Sequence, residues 1–226
     1  MYSAAFAEAL LAPDLAVARE RCIQLGRQLA ALVPVAEPAA VVEPFDWPGH
    51  DLPRAPREPR LGEKIRHPLA DARVIADELA ARLAPACLRV EVAGSVRRGK
   101  ETVGDIELVY CSRGGEAETL IAGMVARGEL VIRGGYGPKN KFLRHIPSGI
   151  SVDLFAATEE SWFNTLAFRT GPAASNIAVA EAARDKGWRW RPYGAGFTCG
   201  DTVIAARTEQ AVFELVGIWC LPPAER

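Results

Sequence analysis

Asp105 and Glu107 stand two residues apart at the head of a stretch, Ile106 to Cys111, that alternates as a strand. Residues at that spacing on a strand point to the same side. The pair therefore presents adjacent carboxylates while Ile106 and Leu108 face the core. Side-by-side carboxylates repel, and divalent cations between them relieve the repulsion; an all-oxygen site of this kind suits Mg²⁺ or Mn²⁺. A lone acidic pair on a strand is more often a solvated edge, so its neighbours decide. Gly94-Ser95 precedes it, with Ser95 ten residues ahead of Asp105. Lacking a Cβ, Gly94 lets the backbone approach a ligand, and the Ser95 hydroxyl and nearby amides can donate to phosphate oxygens. Arg97 and Arg98 add charge in the forked geometry that suits a polyphosphate tail. A third carboxylate, Asp153 in Ser151-Val152-Asp153-Leu154-Phe155, sits in a short apolar strand where an unpaired charge is costly. Metal ligation accounts for its presence. Two cations about 3.5–4 Å apart would activate an attacking oxygen and stabilise a departing pyrophosphate, with positioning and charge neutralisation carrying most of the in-line chemistry.

The elements that must hold these groups follow from periodicity. Pro68 to Leu83 reads as a helix with Leu69, Ala72, Ile75, Ala76 and Leu79 on one face. Strands are expected at Leu88 to Val92 and Ile106 to Cys111, joined by the Gly- and Arg-rich connection, then at Leu130 to Arg133, Lys141 to Ile146 and Ser151 to Ala156. A helix over Glu116 to Arg127 intervenes. After Thr158 the pattern turns helical at Ser161 to Arg169 and Ser175 to Lys186, followed by a hairpin near Phe197 to Ala205 and a helix from Thr208 to Cys220. The first 33 residues read as two helices broken near Pro13, the second capped by Asp14 and striped by Leu15, Ala18, Cys22, Leu25, Leu29 and Leu32. Seven prolines from Pro34 to Pro59 make the next stretch an extended linker.

Length and composition bound the function. With 226 residues and 49% hydrophobic content the chain can build one large or two small domains. The alanine-rich start carries Glu8 and lacks a basic, apolar, small-residue leader, so no export is expected, and no stretch reaches the ~20 apolar residues of a membrane span. Five scattered cysteines match no zinc-ligand spacing and suit reduced thiols in a cytosol. A net charge of −1 offers no global attraction to nucleic acid. Locally, Val131 to Pro192 holds nine Lys/Arg against five acids, a net +4 that can track phosphates or simply be solvated.

Gly94 to Glu107 resembles the glycine-serine, arginine-arginine-glycine, Asp-x-Asp signature of the family X DNA polymerases. The likeness continues through Phe168-Arg169-Thr170-Gly171-Pro172 to Asn176, similar to the family's aromatic pair, Thr-Gly turn and downstream Asn. It extends to Arg191-Pro192-Tyr193-Gly194 and the Pro-Pro-Ala-Glu-Arg tail, and back to Arg66 before Pro68, covering about Lys64 to Arg226. The resemblance implies an α+β fold: a nucleotidyltransferase palm with a mixed β-sheet and helices over 61–157, a small C-terminal α/β subdomain binding nucleotide and DNA over 158–226, and an N-terminal helical segment with a Pro-rich linker over 1–60. It implies that Asp105, Glu107 and Asp153 are catalytic and ligate two Mg²⁺ (or Mn²⁺), Asp153 also favouring deprotonation of a primer 3′ hydroxyl. Arg66, Ser95 and Arg98 would hold the triphosphate of a dNTP, with Gly94 and Gly104 beside them. Phe168, Arg169, Thr170, Gly171 and Asn176 would line its sugar and base edge. Lys141 resembles a lysine near the DNA backbone; Lys139 and Arg144 join it on charge, and Arg191 on its place in the C-terminal motif.

Departures from the pattern are specific. Glu107 replaces the usual second Asp, a form also found in antibiotic nucleotidyltransferases; Arg169 takes the place of the second aromatic; Ala180 replaces a template-contacting arginine; and Ser151 and Phe155 replace arginines flanking the third Asp. No helix-hairpin-helix pattern or histidine-rich phosphoesterase motif is present, His50, His67 and His145 being dispersed. The expected protein is a minimal polymerase without lyase or phosphoesterase domains, a cytoplasmic or nucleoid-associated monomer on gapped or primer-template DNA, whose N-terminal stripe packs onto the rest of the chain or, as an alternative, recruits a repair partner. Two other readings stay open: the same fold with an antibiotic, protein or RNA acceptor, and a DNA-end-binding module without catalysis.

Overall fold

The computed structural model describes residues 65–226. The N-terminal helices, their leucine stripe and the proline-rich linker lie outside the described residues. A mixed five-stranded sheet organises the rest. Its strands are β2 (Cys87–Ala93), β4 (Ile106–Ser112), β5 (Leu130–Tyr136), β6 (Asn140–His145) and β7 (Ser151–Ala156), in the order β2-β4-β7-β6-β5. All neighbours run antiparallel except β4 and β7, which are parallel and bring Glu107 opposite Asp153.

Alternation sorts the side chains onto two faces. Ile106, Leu108, Tyr110, Val152 and Leu154 point to one face, which is covered by α1 (Leu69–Leu83) and α3 (Glu116–Ala126). In α1 the buried residues Ala72, Ala76, Leu79 and Leu83 recur at three- and four-residue steps, so a single stripe meets the sheet. The opposite face carries Val109, Cys111 and Phe155, packed by α4 (Trp162–Thr170), and the same parity puts Glu107 and Asp153 there. A third core joins α4, α5 (Ala173–Asp185) and α6 (Glu209–Glu214) to a small antiparallel sheet of β8 (Arg189–Trp190), β9 (Gly196–Cys199) and β10 (Thr202–Ala205). The expected α+β architecture is therefore present.

Three details differ from the sequence reading. The Gly- and Arg-rich connection contains a short helix, α2 (Gly94–Arg97), and β3 (Thr102–Val103), which pairs with β1 (His67–Pro68). Two-residue strands carry too little pattern to be seen locally. β8 was likewise absent from the expected elements. The last helix ends at Glu214 rather than Cys220, because Gly217 turns at φ +80° and the amides of Gly217 and Ile218 fold back onto the carbonyls of Glu214 and Phe213.

Gly196 is the tightest point of the C-terminal sheet: a Cβ there would collide with the Ile204 carbonyl and stand 2.9 Å from the Ala206 amide. Both are backbone atoms and cannot swing away. Gly196→Ala is expected to cost roughly 1–3 kcal/mol, read as a lower urea midpoint. No helix among the described residues is long and apolar enough to cross a membrane.

Candidate active site

The acidic residues meet at the N-terminal ends of β4 and β7. Asp105 precedes β4 and is half-buried, and Glu107 lies on the next inward-facing position, opposite Asp153. Gly94, at φ +60°, follows β2 and opens α2 against them: a Cβ there would lie 2.5 Å from Glu107 Oε2. The glycine thus leaves room for the Glu107 carboxylate as well as for a close backbone approach. Burial pushes the Glu107 carboxyl up to about 7, and the charges of Asp105 and Asp153 add to the rise against the opposing pull of Arg169 and Arg98.

Arginines from three elements face this acid cluster. Arg98, from the end of α2, donates to the Thr170 carbonyl, its Nε is buried without a hydrogen-bond partner, and its charge acts on Glu107. Arg133 of β5 pairs with Asp153 Oδ1 and donates to the Leu143 carbonyl at 3.0 Å. Arg169 of α4 lies face-on to Phe155, 3.5 Å from the ring centroid, and bonds the Tyr193 hydroxyl. Sequence reasoning passed over Arg133; only its place in the positive segment hinted at it. Positions 151 and 155, where the resemblance calls for arginine, are filled by Ser and Phe, and the charge near Asp153 comes instead from another strand and another helix.

The remaining expected residues fall into groups. Ser95 is in α2 and half-buried, and Gly104 is buried beside Asp105. Thr170 is fully buried, and Gly171 turns at φ +60° so close to Arg98 that a Cβ would stand 3.3 Å from its Nη1. The Phe168 ring sits edge-on to Trp190 and Tyr193 at 5.6 and 5.8 Å, while its carbonyl accepts from Asn176 Nδ2 at 2.9 Å. Arg66 is exposed and holds Thr102, through its Oγ1 at 3.2 Å and its carbonyl. Its visible role is thus to tie the β1–β3 pair. Arg97 is committed elsewhere than the polyphosphate: it grips both oxygens of Glu209 at 2.8 and 2.7 Å and donates to Thr170 Oγ1 at 2.5 Å. Burial opposes ionisation of Glu209, but the hydrogen bonds and charges of Arg97 and Arg226 prevail and hold its carboxyl below the usual range. This network joins α2 to α6 and to the C-terminal residue.

Of the expected DNA-contacting groups, Lys139 and Arg191 are exposed and Arg144 is half-buried. Lys141 requires correction: it is fully buried, 2.5 Å from the Tyr110 hydroxyl and 3.3 Å from the Gly137 carbonyl, with its ammonium over the Tyr110 and Tyr136 rings. Strand parity turns it away from the acidic face and toward Glu118, whose Oε1 accepts from Tyr110 at 3.0 Å. Burial lowers its ammonium to about 8, partly countered by the Glu118 charge. Lys141→Met is therefore expected to destabilise the fold by about 3 kcal/mol while leaving DNA affinity unchanged, checked by denaturant melts and a fluorescence-anisotropy titration.

Three carboxylates without sulfur or imidazole suit hard divalent cations, although no group of three His, Cys, Asp or Glu side chains among the described residues is gathered tightly enough to hold an ion. Guanidinium groups balance the acids in this arrangement. The donor chemistry fits a metal once those groups give way.

Residues 155–226 match the family model of the DNA polymerase beta thumb. The structure is similar to the crystal structure of Leishmania infantum polymerase beta in a ternary P/T complex, with a TM-score of 0.61 and 15% sequence identity, over 75% of this chain and 84% of that one. A sequence comparison with curated proteins finds no match. Residues 155–226 thus resemble a DNA polymerase beta thumb, and the described residues share the fold of a polymerase beta.

Proposed function

We propose that the protein adds deoxynucleotides from dNTPs to a DNA 3′ end, filling short gaps in repair, with Asp105, Glu107 and Asp153 holding two divalent cations. The observation that carries the reading is the parallel β4–β7 register that sets Glu107 opposite Asp153 beside the Gly94 turn. When bound, Mg²⁺ or Mn²⁺ would supply charge neutralisation at the triphosphate and at the attacking oxygen. The chain's own groups do the rest. Ser95 and the amides of α2 would receive phosphate oxygens, a role supported by their position directly after the Gly94 turn, and Arg98 would bring a cation whose buried Nε has no hydrogen-bond partner to lose. The hydrogen bond that ties Asn176 to the Phe168 carbonyl supports a role for both in lining the sugar and base edge. Exposed Lys139 and Arg191 are suited to phosphate backbone contacts that position DNA without reading it.

The test incubates the full-length protein with Mg²⁺ or Mn²⁺, labelled primer and each dNTP, on a one-nucleotide gap, an open template and single-stranded DNA. Templated extension strongest on the gap is the expected result. Untemplated addition would replace gap filling with terminal transfer, and no incorporation on any DNA would move the acceptor to another class of molecule. We take the protein to act as a monomer in the cytoplasm or on the nucleoid, which sedimentation and fractionation would check.

A further inference from the structure

We infer that Arg133 and Arg169 are resident counter-cations of the acidic site, holding Asp153 and Glu107 when no divalent cation is bound and thereby setting how tightly the cation binds. The inference rests on the metal-dependent reading above. Arg133 reaches across β6 from β5: its guanidinium lies 5.7 Å from the Phe142 ring centroid, donates to the Leu143 carbonyl and pairs with Asp153 Oδ1. With its side chain 27% exposed, it has a route into solvent. Arg169 comes from the opposite side, on α4. Phe155 follows Asp153 by two positions on the same face of β7, so a guanidinium stacked on Phe155 stands over the acidic face. Its charge acts on both Glu107 and Asp153.

The tethering is built rather than incidental. Arg169 is sandwiched by Phe155, Phe168 and Tyr193, and its Nε is buried with no hydrogen-bond partner. Such a group has given up part of its hydration for aromatic faces and anions. A guanidinium and a divalent cation at the same carboxylates repel strongly where water is partly excluded. Binding the metal therefore requires the arginines to withdraw, and the free energy of that withdrawal is subtracted from the metal's affinity.

Mn²⁺ binding to the full-length protein, followed by electron paramagnetic resonance without nucleotide, tests this with wild type, Arg133→Gln, Arg169→Gln and Asp153→Asn. Each glutamine variant is expected to bind Mn²⁺ about tenfold more tightly, the order of one neighbouring charge at a partly solvated site, and Asp153→Asn to lose that binding. Carboxylate-dependent binding in wild type with equal or weaker affinity in both glutamine variants overturns the counter-cation role and leaves the metal reading standing. Tightening in one variant alone assigns the role to that arginine and removes it from the other. Absence of carboxylate-dependent Mn²⁺ binding in every protein overturns both. Circular dichroism melts accompany each variant. If Arg133→Gln does not fold, Arg133→Lys, which keeps the charge without the fork, is expected to show a smaller tightening, and unchanged affinity there overturns the role for Arg133.

Discussion

Alanine in place of Asp153 is expected to cut nucleotide incorporation on the order of a thousandfold, in line with the loss of a group aimed at developing charge, while DNA binding and melting temperature stay close to wild type. The reason is local. Asp153 is the buried acid of the site, opposite Glu107 on the parallel strand, so no neighbouring carboxylate can take its position without moving a strand. Its partner Arg133 is partly exposed and can turn to solvent when the carboxylate is gone, which spares the fold the cost of a stranded buried charge. Single-turnover incorporation on gapped DNA, with an anisotropy titration of the same DNA, separates chemistry from binding. Full incorporation by Asp153→Ala would sink the site assignment.

Glu107→Gln is expected to do two opposite things: abolish incorporation and stabilise the metal-free protein at neutral pH. In the folded state the Glu107 carboxyl is pushed up to about 7 from its ordinary value of 4.5, so between those values the folded chain binds the proton that the unfolded chain has released. The associated stability is complete below the unfolded value and is lost as pH rises through about 7. A gap of that size corresponds to roughly 3 kcal/mol at most. Urea melts in chelator at pH 5 and pH 8 should therefore show wild type weakening more than Glu107→Gln, and Mg²⁺ should restore wild type at pH 8 by binding the folded state. Identical pH slopes for the two proteins would show that Glu107 is not crowded by its neighbours.

These expectations depend on different amounts of information. Glu107 and Asp153 were readable on strands because a period of two is a local property, set by the pleat, and both sit beside residues whose alternation is strong, while Asp105 falls just before β4. The helix boundaries at Leu83 and the strand Ser151–Ala156 came within reach for the same reason. The end of the last helix did not, because the turn at Gly217 stopped a helix whose apolar pattern continues to Cys220.

What the amino-acid sequence determined by itself was the faces that carry the candidate groups: carboxylates on or just before strands, a glycine where the backbone must turn close to them, arginines following that turn. Tertiary structure alone decided which charges meet. Arg97 and Arg98 are adjacent in sequence, yet one is spent on Glu209, 112 residues away, and the other remains beside Glu107. Lys141 resembles a DNA contact but points into the core beside Tyr110 and Glu118, while Arg133 and Arg169 arrive at the acids from elements that no local pattern connects to them. Periodicity assigns a side chain to a face, but the partner across that face depends on strand order and helix packing. Coulomb interactions follow distance in space, which one-dimensional spacing does not encode.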